Sequence, residues 1–544
     1  MTDEAIKKGP EHTRRNFLTA TTALAGAAVV GLPAMADARK RNPKRGGTVR
    51  FGTRDDSVGL DTHRNFIYFV SHPLSGLVGG LLDFDAEMNV VPGIASEWDS
   101  SKDLKTWTFK LRRGAEFHNG ETVDANAVKW NLERIKDPKI GHSFTRSALS
   151  DLERVTVDDK YTVRCHLKDP SAAFDSNVIY YPVNLMAPGA VDKADTAPVG
   201  CGPFKFKSWK RFDTCELVRF ENFWETDKEG NTLPYLDGMI GKPKKEDRVR
   251  LTALRTGEVD LIDNVAYADA PSFIKDYGKT FDTWPVPQVG TAFVSFNLKS
   301  GPFSEKNNPD ALMLRTAAAH AIDHQAIHEA IFNNQGQIAK GFYSPSSPWY
   351  SKDIVSWPQY DPDKAKAMRK KAKDGDAKIL IIANDSYPYM HQSGELVHAM
   401  LKDAGFNVVF EIHPTPVIQD KYNKGATPGQ WDVDSSANSY RIDPDGWFSR
   451  SLLSTAPETR RRHGYKNEKV DQLILAARVE RDRAKRRQMY ADVDSLINKD
   501  LPLLYTHFVP LLQAGTKKVH GYKPAFTGPF QYAGGGLRTT WIDS

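Results

Sequence analysis

The sequence predicts an α/β protein with more than one domain. Residues 379–382 form a short, wholly apolar run, followed by a helical segment at 394–404 and a strand pattern at 407–412. Such a β-α-β unit normally makes a parallel strand pair. The stretches 304–334 and 464–500 are helical in pattern, whereas the N-terminal region holds short strand patterns between Gly and Asn turns. The 544 residues allow two or three domains of ~100–200 residues each.

The N-terminus is typical of a twin-arginine export signal. Arg14 and Arg15 precede an apolar stretch at 20–32 that is too short for a transmembrane helix of ~20 residues. Residues 34–36 fit a small-x-small cleavage site, and 36–38 are a second candidate. No cysteine follows the apolar run, so we expect no lipid anchor. We therefore expect export by the twin-arginine translocase, removal of residues 1–36 and a periplasmic mature protein.

Strand and helix signals follow in order along the N-terminal half. Residues 106–111 alternate polar and apolar side chains and predict a strand with one buried face. Asp124 is placed as the N-cap of a helix. Residues 156–167 predict a strand, a turn and a strand, and residues 204–218 predict a hairpin with its turn near 210–213.

The three cysteines, Cys165, Cys201 and Cys215, leave at least one thiol free unless two chains pair. With the turn near 210–213, Cys215 is expected to lie opposite a residue at about Ser208 and not opposite Cys201. We therefore favour no disulfide, and we expect Cys201 to be a small buried hydrophobe.

The charge balance excludes a nucleic-acid-binding class. The formal charge is +6, and removal of residues 1–36 takes away four basic and three acidic side chains, leaving +5. That excess is small for a chain of this size. The basic runs 460–462 and 485–487 are interpreted as solvated faces.

Enzyme motifs are absent from the sequence. It contains no G-x-S-x-G, no G-x-x-x-x-G-K and no strand-linked G-x-G-x-x-G. His320, His324 and His328 follow one another at four-residue intervals on one predicted helix, a spacing that also suits metal binding. We interpret them as pairing along an exposed face. We expect no catalytic residue, no metal and no cofactor; a cofactor enzyme exported by the twin-arginine route is the alternative from another class.

A series of short motifs carries a family resemblance. The segment 91–138 holds IASEW, FKLRRG and FHNG in that order. Further segments are GGTV at 46–49, GLDTHR at 59–64, PVGCGPF at 198–204, NFW at 222–224, YLDG at 235–238, ALRTGEVD at 253–260, LRTA at 314–317, AID at 321–323, YDP at 360–362 and DPD at 443–445. In these features the chain closely resembles the family 5 extracellular solute-binding proteins, the peptide-, nickel- and opine-type receptors of bacterial ABC importers. It departs from them at Thr62 and Cys201, where proline and threonine are usual.

The resemblance implies a two-lobed periplasmic-binding-protein architecture with an inserted beta-rich subdomain. Lobe one would comprise residues 46–76, 198–290 and 509–544, the subdomain 77–197, and lobe two 291–508. The chain would cross between the lobes near 286–296 and 508–513, so that hinge motion can bury a ligand between them. The implied partners are an inner-membrane ABC permease and a small-molecule ligand. We expect a monomer that binds no nucleic acid.

The leading candidate site is the polar stretch 435–448. Its candidate ligand-binding residues are Asn438, Tyr440, Arg441, Asp443 and Trp447. In peptide-binding relatives, the aspartate that matches Asp443 pairs with the α-ammonium of the ligand, because either charge alone would be stranded in a closed cleft. A Pro-Asp-Gly turn that only shapes the loop is the alternative. Arg441 is read either as a brace for Asp443 or as a clamp for a carboxylate or phosphate. Trp447 is read either as stacking on the ligand or as packing in the core.

A second candidate is the loop 53–56, which follows a predicted strand at 48–52. Arg54 and Asp55 lie at the strand end, where clefts of α/β proteins form. Phe66 may be assigned to the same cleft or to the core. The resemblance implies a short peptide or another amphoteric amino-acid conjugate as ligand. An opine or oligosaccharide is the second choice, and nickel or haem the third.

Overall fold

In the computed structural model, one mixed sheet extends through both lobes. The structure describes residues 42–65, 75–179, 183–525 and 532–543. Its strands are β1 (Thr48–Thr53), β2 (Gly79–Gly80), β3 (Leu82–Phe84), β4 (Val90–Pro92), β5 (Ala95–Ser100), β6 (Thr106–Leu111), β7 (Leu152–Asp159), β8 (Thr162–Leu167), β9 (Asn184–Leu185), β10 (Phe204–Lys210), β11 (Thr214–Arg219), β12 (Gly238–Pro243), β13 (Leu261–Ile262), β14 (Phe281–Phe296), β15 (Gln337–Ile338), β16 (Lys378–Asn384), β17 (Asn407–His413), β18 (Val433–Ser439), β19 (Leu503–Thr516), β20 (Val519–His520) and β21 (Trp541–Ile542).

The helices are distributed over both lobes and the inserted subdomain. They are α1 (Ala125–Lys136), α2 (Ser143–Ala148), α3 (Phe174–Val178), α4 (Asp247–Arg255), α5 (Ala270–Tyr277), α6 (Ala311–Ala321), α7 (His324–Ala330), α8 (Pro362–Lys371), α9 (Pro388–Asp403), α10 (Thr415–Asn423), α11 (Asp445–Ser451), α12 (Pro457–Arg462), α13 (Glu468–Val479) and α14 (Arg483–Asp500). Among the described residues, none of these helices is both long and apolar enough to cross a membrane.

The first lobe is built around β1. This strand runs parallel to β12 on one side and to β13 on the other, and the hairpin β10–β11 extends the sheet beyond β12. Val49 and Phe51 point into a core that also contains Leu217, Met239 and Leu261, all at most 2% exposed. The carboxyl end of β1 therefore lies at a sheet edge between two parallel neighbours, and residues 54–56 follow directly.

The inserted subdomain contains a separate antiparallel sheet in the order β5-β6-β8-β7. The predicted alternation in β6 is observed, with Trp107, Phe109 and Leu111 buried. Helix α1 begins as predicted, because the Asp124 carboxylate accepts a hydrogen bond of 3.0 Å from the backbone N of Ala127.

The second lobe contains the predicted β-α-β unit. β16 runs parallel to β17 and to β18, and α9 connects β16 to β17. Helix α9 begins at Pro388, six residues before the predicted start at Gly394. Gly394 lies inside this helix and does not mark its end. A Cβ there would approach the Phe410 ring to 2.8 Å, so the glycine permits close packing of the helix on β17.

Two long antiparallel strands join the lobes. In the first lobe, the N-terminal part of β14 pairs with β19, and β19 also pairs with β13. In the second lobe, the C-terminal part of β14 lies between β18 and β19. The register shifts between Val286, opposite Leu511, and Gly290, opposite Val509. Residues 287–289 therefore face Pro510 alone. Because a bulge locally disrupts the ladder, this is where the sheet can bend most easily.

Two predictions about the histidines were wrong. The histidines do not share one helix, because Ile322 adopts an extended conformation and Asp323 caps a new helix, α7. His320 and His324 are buried and not exposed. Cys215 lies opposite Trp209, next to the expected position near Ser208 and far from Cys201, so that prediction is confirmed.

The stretch 435–448 is only partly a loop. Residues 435–439 lie within β18, because β14 supplies backbone partners along the whole of 433–439 and β16 adds partners at 433–435. Residues 445–448 begin α11, and Pro444 occupies its N-cap position. The loop is thus confined to 440–444.

The three cysteines are free and buried. Burial raises the pKa of each thiol to about 12. These groups are therefore not reactive thiolates near neutral pH.

Candidate ligand-binding site

A cavity of about 1840 Å³ lies where the two lobes and the inserted subdomain meet. Most of the lining residues come from five segments, which begin at Arg54, His142, Asn384, Ser436 and Ser449. Drug-sized ligands usually occupy pockets of ~300–1,000 Å³. This cavity therefore has room for a larger solute, or for a small solute together with water.

Arg54 contacts the second lobe across the cavity. Its backbone N donates to Asp263 (3.0 Å), which holds the loop after β1 in place. Its Nη2 donates to the carbonyl of Ser386 (3.1 Å), and its guanidinium lies 5.0 Å from the centre of the Tyr387 ring. Asp55 is close to the Arg54 guanidinium, at 3.8 Å. Arg54 therefore links the two lobes across the cavity.

Helix α11 presents one face to the cavity. Asp445, Gly446, Ser449 and Arg450 line the cavity together, as expected for residues one helical turn apart. The Ser449 hydroxyl donates to the Asp445 carboxylate. The face thus carries an acid at its start and a base near its end.

The acidic cluster lies at the start of α11. We define it as Asp151, Asp169, Asp443 and Asp445 with the arginines Arg478 and Arg486. Arg486 donates to both oxygens of Asp443 (2.7 and 2.8 Å), and Arg478 forms an ion pair with Asp151 and lies 3.4 Å from Asp445. Four carboxylates against two guanidinium groups leave a net charge of −2 when all are ionised.

Burial shifts the acids around this cluster. The pKa of Asp151 is raised, first by burial and then by the nearby Asp445 and Asp169, although Arg478 opposes the shift. Burial, opposed by the backbone N of Ser176 and assisted by Asp443, raises the pKa of Asp175 on α3 to about 6. Burial is the main cause of both shifts, and the neighbouring carboxylates add to it.

The basic cluster lies near the end of α11. We define it as Arg146, Arg450, Arg461 and Arg462 with the acids Glu458 and Asp434. Arg461 forms a 2.7 Å ion pair with Glu458, Arg450 lies 3.9 Å from Glu458, and Arg462 donates to Asp434 at 2.7 Å. Four guanidinium groups against two carboxylates leave a net charge of +2.

Two pKa shifts reflect the excess of positive charge. Burial would raise the pKa of Glu458, but Arg450, Arg461 and Arg462 outweigh it and the pKa is lowered. The pKa of His142 is lowered by burial and then by Arg146 and Arg450. His142 therefore lies close to an arginine from each side of the cavity.

Some of the site residues predicted from sequence line the cavity and others do not. Arg54, Asp55, Asn438, Arg441 and Asp443 line the cavity. Phe66 lies outside the described residues.

Two further candidates are in the core. The Tyr440 hydroxyl is 2.7 Å from Ser347 Oγ, and the residue is 4% exposed. Trp447 is 1% exposed and stacks on Phe342, with ring centres 4.5 Å apart. Tyr440 and Trp447 therefore belong to the core and are not proposed as ligand contacts.

The partner of Asp443 was missed by sequence reasoning. Arg486 binds this carboxylate, and both side chains are about 5% exposed. The interpretation of 460–462 and 485–487 as solvated faces was wrong for Arg462 and Arg486, which are 7% and 5% exposed. A signal existed for Arg486, which shares a helical stripe with the buried residues Tyr490, Val493 and Ile497. Arg146 and Arg450 had no comparable signal.

His324 and His328 form hydrogen bonds with other residues of the protein. His324 is 3.2 Å from the carbonyl of Tyr505, and His328 is 2.9 Å from His507. Within the described ranges, no group of three or more His, Cys, Asp or Glu side chains could hold a metal ion.

Comparison with known proteins identifies the family. The model of the bacterial extracellular solute-binding proteins, family 5 (middle region), matches residues 89–459, more than half of the chain. The chain belongs to this family. Family 5 proteins of this kind serve as substrate-binding receptors of ABC importers outside the cytoplasm, and the resemblance read from the motifs is confirmed.

Curated relatives and solved structures agree. The glutathione-binding protein GsiB of Pectobacterium atrosepticum is 26% identical over 81% of this chain and 85% of its own length, and GsiB of Salmonella paratyphi A is 27% identical over the same shares. The binding protein AgaA in complex with agropinic acid, from A. tumefacien, has a TM-score of 0.76 at 25% identity and covers 92% of this chain and 99% of its own. DppA from Helicobacter pylori in complex with a peptide has a TM-score of 0.77 at 21% identity over the same shares, which supports the fold alone. The two-lobed α/β architecture of this solute-binding protein is thereby confirmed.

Proposed function

We propose that this receptor captures a short peptide or a related amphoteric amino-acid conjugate and delivers it to an inner-membrane ABC permease. The relatives named as glutathione-binding proteins support a ligand of this class. The register shift at 287–289, where β14 and β19 join the lobes, supports capture by hinge closure.

The observation that carries the proposal is the separation of opposite charge along α11. The acidic cluster lies at Asp445 and the basic cluster at Arg450, five residues further on. At 1.5 Å per residue the two lie ~7.5 Å apart along the helix axis. A ligand with an ammonium group at one end and a carboxylate at the other matches both clusters, whereas a neutral or singly charged ligand leaves one of them uncompensated.

The ammonium group is assigned to the acidic cluster as a whole. Asp443 alone would be a weak ammonium site, because Arg486 already occupies both of its oxygens. The remaining negative charge is shared with Asp151, Asp169 and Asp445. Asp443 therefore contributes to binding as one member of a charged group, with Arg486 fixing its orientation.

An opine is the second candidate ligand. The relative AgaA was solved with agropinic acid, and it shares 25% identity with this chain. Arg441 and the basic cluster suit an acidic ligand of that kind. An oligosaccharide finds less support from the predicted residues, because Tyr440 and Trp447 are buried in the core; the aromatic side chains that do line the cavity are Phe212, Tyr387, Tyr389 and Tyr422.

Export by the twin-arginine route remains part of the proposal. The signal lies outside the described residues. We expect precursor to stay in the cytoplasm when Arg14 and Arg15 are both replaced by Lys. Delivery of this variant to the periplasm of a strain without the twin-arginine translocase would rule the route out. We also expect a monomer after cleavage.

A thermal-shift screen of the mature protein tests the ligand class. Glutathione, trialanine, agropinic acid, maltotriose, nickel and haem are compared at equal concentration. A ligand at 100 times its Kd adds about 2.7 kcal/mol to the free energy of unfolding. We expect the largest shift from a peptide or amino-acid conjugate, and a shift confined to sugar, nickel or haem would contradict the proposal.

A further inference from the structure

Resting on hinge closure in the proposed function, we propose that residues 478–483 dock on the inserted subdomain when the protein closes and separate from it when the protein opens. These residues span the end of α13 and the start of α14 in the second lobe. The inserted subdomain thereby takes part in closure itself, in addition to the two lobes joined at the register shift in 287–289. Its contribution is the same for every ligand that closes the protein.

Arg478 contacts the subdomain through its main chain and its side chain. The backbone N of Ala172 donates to the carbonyl of Arg478 at 2.7 Å. The Arg478 guanidinium also forms an ion pair with Asp151, and the two side chains are 9% and 16% exposed. A main-chain hydrogen bond beside a largely buried ion pair shows that the two surfaces are packed in direct contact here.

Two further arginines reach separate turns of the subdomain. Arg481 Nη2 donates to the carbonyl of Ser101, after β5, at 2.9 Å. Arg483 Nη1 donates to Asn89 Oδ1, before β4, at 3.1 Å. The Asn89 amide is oriented for this contact, because its Nδ2 donates to Asp85 at 3.0 Å and its Oδ1 is left as the acceptor. The docked surface therefore extends over three parts of the subdomain.

The shape of 478–483 is fixed by its own side chains. The backbone N of Asp482 donates to Glu480 Oε1 at 2.8 Å. The Asp482 carboxylate caps α14 by accepting from the backbone N of Ala484 (2.8 Å) and of Lys485 (3.0 Å). A segment that is already ordered loses little conformational entropy when it docks, so a few hydrogen bonds are enough to favour the docked state.

The position of these contacts ties them to closure. The subdomain is inserted in the first lobe, and 478–483 belong to the second, so the two surfaces lie on opposite sides of the β14–β19 connection. A hydrogen bond is lost once its donor and acceptor are more than about 3.5 Å apart. A rotation of the lobes that separates the surfaces by about 1 Å therefore breaks these hydrogen bonds together.

A cross-link tests the docking without any ligand. Ala172→Cys and Val479→Cys are combined, since Val479 is 46% exposed and follows the residue that Ala172 contacts. A short bis-maleimide is added in dilute solution; the three native cysteines are buried. We expect the cross-linked protein to have a smaller radius of gyration in small-angle scattering than the same variant before treatment. Ala172→Cys alone, treated in the same way, should keep its radius. A cross-link that does not form in the folded variant, or that leaves the radius unchanged, would overturn the docking.

A titration measures what the docking contributes to affinity. Neither Arg481 nor Arg483 is among the described residues that line the cavity. The double variant Arg481→Gln with Arg483→Gln should bind trialanine and its C-terminal amide more weakly by the same factor, about threefold to tenfold. Lys485→Gln with Arg487→Gln removes two exposed charges from the same helix and should bind like wild type. An unchanged affinity in the arginine variant, or a loss confined to one form of the peptide, would show that these arginines do not act through closure.

The outcomes separate the docking from the proposed function. If trialanine reduces the radius of gyration of wild type but the cross-link does not reduce that of the double-cysteine variant, the docking is overturned and the peptide receptor stands. If the cross-link reduces the radius but folded wild type does not bind trialanine or its amide, the docking stands and the peptide proposal fails. If neither treatment changes the radius, hinge closure and the docking both fail.

Discussion

The ion pair between Asp443 and Arg486 shows how a residue can be placed in the right site with an unforeseen role. The sequence motif located Asp443 in the cleft, and the structure has it lining the cavity. Asp443 lies in the loop 440–444, and its partner Arg486 is 43 residues away on helix α14. No local pattern in a single sequence pairs two such residues, because their contact is decided by the packing of α14 against α11.

The first prediction concerns the stability of this pair. Asp443→Asn leaves the guanidinium of Arg486 buried without its counter-charge, and the free energy of unfolding should fall by about 3–5 kcal/mol. The double variant Asp443→Asn with Arg486→Met should lose less than the single variant, because it removes the stranded charge. Denaturant unfolding measures both.

The control is the exposed pair of Asp420 and Lys424, at 2.7 Å. Asp420→Asn should change the free energy of unfolding by less than about 1 kcal/mol, because solvent screens such pairs. A loss at Asp443 no larger than the loss at Asp420 would show that the buried pair is not structural.

The second prediction concerns pH and Asp494. Burial raises the pKa of this carboxyl to about 7, although the backbone N of Phe342 and the Tyr505 hydroxyl oppose the shift. The native state therefore binds more protons than the unfolded state between pH 4 and pH 7, and this contribution to stability is lost as the pH rises through that range. The free energy of unfolding of wild type relative to Asp494→Asn should fall by up to about 1.4 kcal/mol per pH unit between these values. A difference that stays constant with pH would contradict the assignment.

At the scale of elements, strands and helices with strong periodicity were predictable. The alternation in β6, the apolar run in β16 and the cap of α1 each follow from local sequence. β18 was not predictable in this way, because its polar residues 435–439 form a strand only through pairing with the distant β14, with β16 as a further partner at the start of β18. The same limit explains why the three histidines were wrongly assigned to one helix, since the chain ends one helix before Ile322 and starts another after Asp323.

The third prediction concerns the contact of β14 with β18. A Cβ at Gly290 would lie 2.5 Å from the backbone carbonyl oxygen of Asn438. Gly290→Ala should push the strands apart at a cost of about 1–3 kcal/mol in the free energy of unfolding. Since the clash involves the backbone, Asn438→Ala should not reproduce this loss of stability. Thermal unfolding of both variants is the measurement, and an unchanged melting temperature for Gly290→Ala would contradict the packing described.

At the scale of the whole molecule, family membership was the safest inference from sequence. Ordered motifs along the chain are independent of any one contact, so they survive local errors such as the start of α9. The ligand is harder to predict from sequence, because Arg146, Arg450 and Arg478 line one cavity only when the inserted subdomain and the second lobe are packed together.

The fourth prediction concerns closure. Two contacts cross the cavity in the structure, Arg54 with Ser386 and Arg478 with Asp151. Without ligand, bending at 287–289 should separate these pairs. Small-angle scattering should therefore give a larger radius of gyration for the free protein than for the protein saturated with its best ligand. Identical profiles in the two states would argue against a hinge.

The most direct test of the account is a titration of wild type with one peptide in four forms. Trialanine is used with both ends free, with the N-terminus acetylated, with the C-terminus amidated, and with both modifications. If the acidic cluster holds the ammonium and the basic cluster holds the carboxylate, each single modification should cost roughly 2 kcal/mol or more of binding free energy, about 30-fold in Kd, and the doubly modified peptide should bind weakest. Equal affinity for all four forms would show that the two charged clusters do not select the ligand, and the central claim of an amphoteric ligand held between them would be wrong.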